Sequence, residues 1–171
     1  MPDLISHAAS AFVFRNFFLK LKICQGPYFL MVLFGVFLPD FFSRGSMVLI
    51  PEFFIVSQFF HTPLGCFLQT LFISCLFVRE QRLRVFTAIT FGWILHQIFD
   101  AFQITLGPGF YYYLWPFYDQ PLSLKIFLAG NWMYVAIISI LIALLTQQKT
   151  LFWLKMRLGG KQVKSGKIKA E

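Results

Sequence analysis

The chain has 171 residues, of which 58% are hydrophobic, 20% aromatic and only 13% charged. A soluble domain carries about half apolar and about a quarter charged residues, so this balance, with 24 Phe, excludes an ordinary water-soluble globule. The net charge of +8 does not indicate nucleic acid, because seven of the fifteen Lys and Arg crowd between Lys149 and Lys169, behind a long apolar run. Such a tail anchors topology or lies on anionic lipid.

In chain order, five apolar segments are expected to be membrane spans. Leu4 to Leu21 is amphipathic, with Arg15 inside it and Lys20 and Lys22 at its end. It has no basic region ahead of it and holds Asp3, His7 and Arg15, so no cleavable signal peptide is expected. Pro27 to Phe42 is shorter than the ~20 residues of a straight span, which a thin membrane or burial in protein accommodates. His61 to Val78 and Leu83 to Leu106 flank the charged turn Arg79-Glu80-Gln81-Arg82. Ile126 to Leu145 is the cleanest span. Gly26-Pro27, Pro51, Gly107-Pro108-Gly109 and Pro121 punctuate the connections. Cys24, Cys66 and Cys75 form no CxxC pair and read as buried free thiols.

The expected architecture is therefore an all-α membrane protein, a bundle of about five transmembrane helices over residues 1–158. Residues 159–171 form a basic, mobile cytoplasmic tail. Threading the spans back from a cytoplasmic tail puts thirteen of the fifteen Lys and Arg on the cytoplasmic side and leaves only Arg44 and Lys125 outside. The expected location is the inner membrane, with the N-terminus outside. A four-span variant, with the first segment lying on the cytoplasmic surface, keeps the same later orientation.

That threading also gathers the polar residues. His7, Asp40, His61, His96 and Asp100, which include all three histidines, fall at the outer ends of their segments. His96 and Asp100 are spaced i, i+4 and share one helix face, which Gly92 and Gln103 extend. An ionised Asp within a span costs several kcal/mol unless it is paired, hydrated or metal-bound. Imidazole and carboxylate together suit zinc, and also manganese or iron. The bland alternatives are a plain His–carboxylate pair at His96 and Asp100, an interfacial turn at Asp40, and a helix start at His61-Thr62-Pro63. The aromatic run from Phe110 to Tyr113, with Trp115 and Phe117, reads best as an interfacial belt.

Five motifs occur in order: Pro-Asp-Leu-Ile-Ser-His (Pro2 to His7), Leu-Pro-Asp (Leu38 to Asp40), His-Thr-Pro (His61 to Pro63), Gly-x-x-x-His-x-x-x-Asp (Gly92 to Asp100) and Trp-Pro-Phe (Trp115 to Phe117). Over roughly residues 1–120 the chain resembles the prokaryotic membrane-bound metal-dependent hydrolases, which include the LexA-regulated type. That family is in turn similar to the helical zinc-dependent phospholipases C. The resemblance implies that His7, Asp40, His61, His96 and Asp100 are metal ligands, with Asp100 bridging if two ions bind. Two departures thin the ligand set. Phe41-Phe42-Ser43-Arg44 follows the Pro-Asp where a second acid is common, and His61 stands alone where a His-Arg-Gly-x-x-His block is common.

The function this implies is a metal-dependent hydrolase at the outer membrane boundary, with Asp40 or Asp100 as catalytic base and a membrane lipid phosphodiester or headgroup as substrate. By analogy alone the phospholipases suggest that substrate. Two other classes compete: a structural or assembly membrane protein with a degenerate site, separated by metal content, and a small transporter subunit with a His7, His96 and Asp100 relay. The absence of inverted-repeat symmetry argues against the second.

Overall fold

The computed structural model describes residues 4–50, 52, 54–104, 117, 118, 124 and 126–147. Helices dominate these residues. They are α1 (Leu4–Phe17), α2 (Gly26–Leu49), α3 (Phe54–His61), α4 (Pro63–Cys75), α5 (Arg79–Ala101) and α6 (Trp132–Gln147). A two-residue parallel ladder joins β1 (Gln103–Ile104) to β2 (Phe127–Leu128), so the approach to α6 lies against the end of α5. The all-helical class expected from composition therefore holds apart from this short pair.

Several boundaries differ from the expected spans. α1 stops at Phe17, before the expected Leu21. α2 does not close at Phe42 but runs on to Leu49 with Pro39 inside it. Pro39 removes only one backbone donor, the one that would reach the Gly35 carbonyl, and the apolar residues after it resume the helical pattern. Residues 54–61 form a helix of their own, α3. α5 ends at Ala101 rather than Leu106, because the chain turns there into the ladder. The Gly107-Pro108-Gly109 connection, the run from Phe110 to Pro116 and the basic tail lie outside the described residues.

α2 and α5 form the axis of the molecule. Gly35 and Gly92 make their close approach, since a Cβ on Gly35 would fall on the Ile89 carbonyl and one on Gly92 would meet the Val32 carbonyl and Gly35 itself. Small residues at a crossing let helix backbones touch, the usual device where lipid removes the hydrophobic drive for association. Around the crossing, Ala11, Phe29, Val32, Val36 and Ala88 form one apolar cluster, and Leu38, Cys66, Val85, Ile89 and Trp93 another.

The bundle has two unlike ends. Arg15 lies over the Phe29 ring at 4.7 Å and Arg84 over Tyr28 at 5.9 Å, which gathers cations around the start of α2. Asn16 donates from Nδ2 to the Ala143 carbonyl at 3.0 Å and to Thr146 at 3.1 Å, so the end of α6 reaches the same end of the bundle. The buried histidines and aspartates lie at the other end.

Burial departs from the pattern of a soluble protein. Thirteen polar or charged residues are buried among those described, against thirteen apolar ones, while the outer faces of α4 and α6 expose Phe67, Leu68, Phe72, Tyr134, Ile138 and Leu145. Apolar surface on this scale is rare in soluble monomers. Among the described helices α2 alone is both long and apolar enough to cross a membrane; α4 and α6 are apolar but shorter. α5 has 23 residues, yet Arg79, Glu80, Arg82 and Arg84 at its start and His96, Gln97 and Asp100 near its end lower its apolarity.

Candidate metal centre

Each residue of the polar end is placed by a local feature of its helix. His96 and Asp100 lie one turn apart on α5, with Nε2 and Oδ2 3.0 Å apart. His61 is the last residue of α3, at a break written by Thr62-Pro63. A residue before proline is pushed out of the helical region, and Thr62 is extended at φ −77°, ψ 155°. Its hydroxyl donates to the Phe59 carbonyl at 2.8 Å and accepts from the Gly65 amide at 3.1 Å, capping α4. The break leaves carbonyls without helical donors. Gln69 donates to that of Phe60 at 2.9 Å, and Gln97 to that of His61 at 2.5 Å. His7 comes from the first turn of α1, its ring stacked on His96 with centroids 4.1 Å apart and edge-on to Phe99.

The structure brings all five sequence-selected residues together, each almost wholly buried. His61 Nε2, His96 Nε2 and Asp100 Oδ2 form a triangle with sides of 3.0, 3.1 and 3.2 Å. His7 Nε2 lies 3.2 Å from the other oxygen of Asp100. Asp40 is set further out. Its Oδ1 is 3.8 Å from His61 Nε2 and 3.7 Å from Arg44 Nε, one turn along α2. His7, His96 and Asp100 make one group that could hold a metal ion, and Asp40, His61 and His96 another, with ligand atoms within 4.8 Å in each.

These separations fit a shared cation. Atoms held ~2.0–2.2 Å from one ion lie ~3 Å apart along an octahedral edge and ~3.4 Å apart along a tetrahedral one. Hydrogen bonding alone accounts for them poorly. If His61 and His96 both donate Nε2–H to Asp100 Oδ2, at 3.2 and 3.0 Å, their own Nε2–Nε2 contact of 3.1 Å sets donor against donor. A cation among these atoms would remove that conflict, with the nitrogens presenting lone pairs to it. The donor set of three imidazoles and two carboxylates suits a divalent ion of the zinc, manganese or iron type.

The helix start expected at His61-Thr62-Pro63 is present, with Thr62 as the cap of α4; sequence reasoning missed Gln69 and Gln97, which hold the His61 break, and Gly35, which lets α2 approach α5. Gln97 carried a readable signal, since a carboxamide beside a buried His in an apolar helix needs a partner. Trp115 and Pro116 of the last motif, and Pro2 and Asp3 of the first, lie outside the described residues. No protein-family model, curated protein or solved structure matches the chain.

Proposed function

We propose that this protein is an integral membrane, metal-dependent hydrolase whose centre is formed by His7, Asp40, His61, His96 and Asp100. The observation that carries the reading is the buried triangle at Asp100: its Oδ2 is faced by His61 and His96 Nε2 at 3.2 and 3.0 Å, and those two nitrogens stand 3.1 Å from each other. When bound there, a divalent ion, zinc first, would supply water activation near neutral pH and polarisation of a phosphoryl or carbonyl oxygen. Asp100 offers one oxygen to His7 and the other to His61 and His96, the posture of a bridging ligand. Asp40, set further out, is the better placed general base.

The multi-pass inner-membrane location, with the N-terminus outside, belongs to the same proposal. It is supported by the exposed apolar faces and by the concentration of most Lys and Arg away from the site. Arg84 and Asp100 lie on one helix, and at a rise of 1.5 Å per residue they stand about 24 Å apart. With Arg84 at the cytoplasmic boundary of a ~30 Å hydrocarbon core, the site falls in the outer leaflet. A lipid phosphodiester reaches that depth by moving sideways, which makes it the favoured substrate.

Elemental analysis of the detergent-purified protein tests the core of this reading. Wild type is expected to carry divalent transition metal, and His96→Ala to lose it together with phosphodiester hydrolysis in mixed micelles. Wild type that neither carries such an ion nor takes one up overturns the proposal.

A further inference from the structure

Outside the cluster, a groove of about 780 Å³ lies along the second half of α2, lined by Leu4, Phe37, Phe41, Gly45, Val48 and Leu49, with Asp40 and Arg44 in its wall. Its volume is that of an ordinary small-molecule site. Two features distinguish it from the general apolar exterior. It reaches Asp40, and so the edge of the polar cluster, and it carries a cation, Arg44, whose guanidinium Nε stands 3.7 Å from Asp40. Gly45 keeps it open: a Cβ there meets nothing within 4 Å.

We propose that this groove seats one acyl chain of a phospholipid, with Arg44 holding the lipid phosphate beside Asp40. The chemistry selects the occupant. The lining is apolar and presents Leu4, Phe41, Val48 and Leu49 at the surface, which suits a hydrocarbon chain entering from the side. One guanidinium at its polar edge matches a phosphate, because arginine offers a planar fork of donors to phosphate oxygens. Two anions compete there, since Asp40 already partners Arg44, and a bound phosphate shares that cation. As a description of substrate, the inference rests on the hydrolase reading above; as a description of binding, it is tested without turnover.

The test uses the full chain in detergent with a photoreactive phosphatidylglycerol that carries a diazirine on one acyl chain. Labelling is expected to concentrate in the segment Phe37 to Leu49. Arg44→Gln is expected to lower it about tenfold, the loss of one charge-assisted contact, while Arg44→Lys retains most of it. Gly45→Phe fills the groove from an open position and is expected to abolish it. Leu83→Phe, on an exposed residue of α5, leaves it unchanged, and thermal melting establishes that each variant folds. Unlabelled phosphatidylglycerol should compete, and inorganic phosphate should do so only weakly, because the chain supplies most of the affinity. Labelling spread evenly over the apolar exterior, or equal in wild type, Arg44→Gln and Gly45→Phe, overturns the proposal. Specific labelling in a protein that holds no metal separates the two readings: the groove stands and the hydrolase falls.

Discussion

Asp100 and His7 occupy the same cluster but do different work, and substitution should separate them. On the proposed reading, Asp100→Asn keeps the shape of the side chain and removes the charge that would balance a cation, whereas His7→Ala removes one of several proposed nitrogen ligands. The expected outcome is greater metal loss, read by elemental analysis, from Asp100→Asn than from His7→Ala. Equal losses would deny Asp100 its bridging posture. Gln97 acts through His61, whose carbonyl it holds at 2.5 Å. Residues that support metal ligands are worth about 10- to 100-fold in metal affinity. Gln97→Leu, which keeps much of the volume and deletes the donor, is expected to weaken divalent-metal binding at the proposed centre by about tenfold in a chelator competition. Unchanged affinity would mean that the α3–α4 break holds His61 unaided.

Among the helices, α2 decides most, and two of its glycines predict opposite results. Gly35 touches the backbone of α5, so Gly35→Val forces the two helices apart. Overpacking of this kind costs about 1–3 kcal/mol, and it also withdraws Asp40 from His61. A lower melting temperature and loss of bound metal are expected together. Gly45, ten residues on, faces open space, and Ala there relieves a helix of its weakest ordinary residue. Gly45→Ala should raise stability by up to about 1 kcal/mol, read as a higher melting temperature with metal retained. A fall in melting temperature would place a neighbour against Gly45 that the structure does not show.

For the molecule as a whole, the testable quantity is sidedness. The proposed orientation sets the loop holding Glu52 outside and the turn holding Gln81 inside, and both residues are exposed. In a Cys75→Ser background, which removes the exposed native thiol, Glu52→Cys should react with an impermeant maleimide on intact spheroplasts. Gln81→Cys should react only after lysis. The reverse pattern would invert the threading and move the site to the cytoplasmic leaflet. The same apolar exterior predicts that the protein precipitates when detergent is removed without lipid, since the outer faces of α4 and α6 then meet water.

Composition by itself was enough to indicate a helical chain with more apolar surface than its interior can bury, because that depends on the amount of apolar surface and not on its arrangement. The i, i+4 spacing likewise placed His96 and Asp100 on one face, since helical periodicity is a local property. Pro39 and the polar residues after it misled the reading of α2. A single proline looks like a stop in sequence, whereas a helix packed along its length bears the loss of one hydrogen bond. The α3 helix was hidden for the related reason that eight residues between Phe53 and Thr62 are too few to display a clear period. Threading the charges set His7, Asp40 and His61 at the same end as the α5 pair, but no local signal specified that they would touch it. That depended on the Gly35–Gly92 contact and on Gln97 bridging from α5 to His61, both set by how separate segments pack. Periodicity acts over a few residues and can be read from the chain, but a ligand sphere is a relation among five distant positions, and only the tertiary structure supplies the distances.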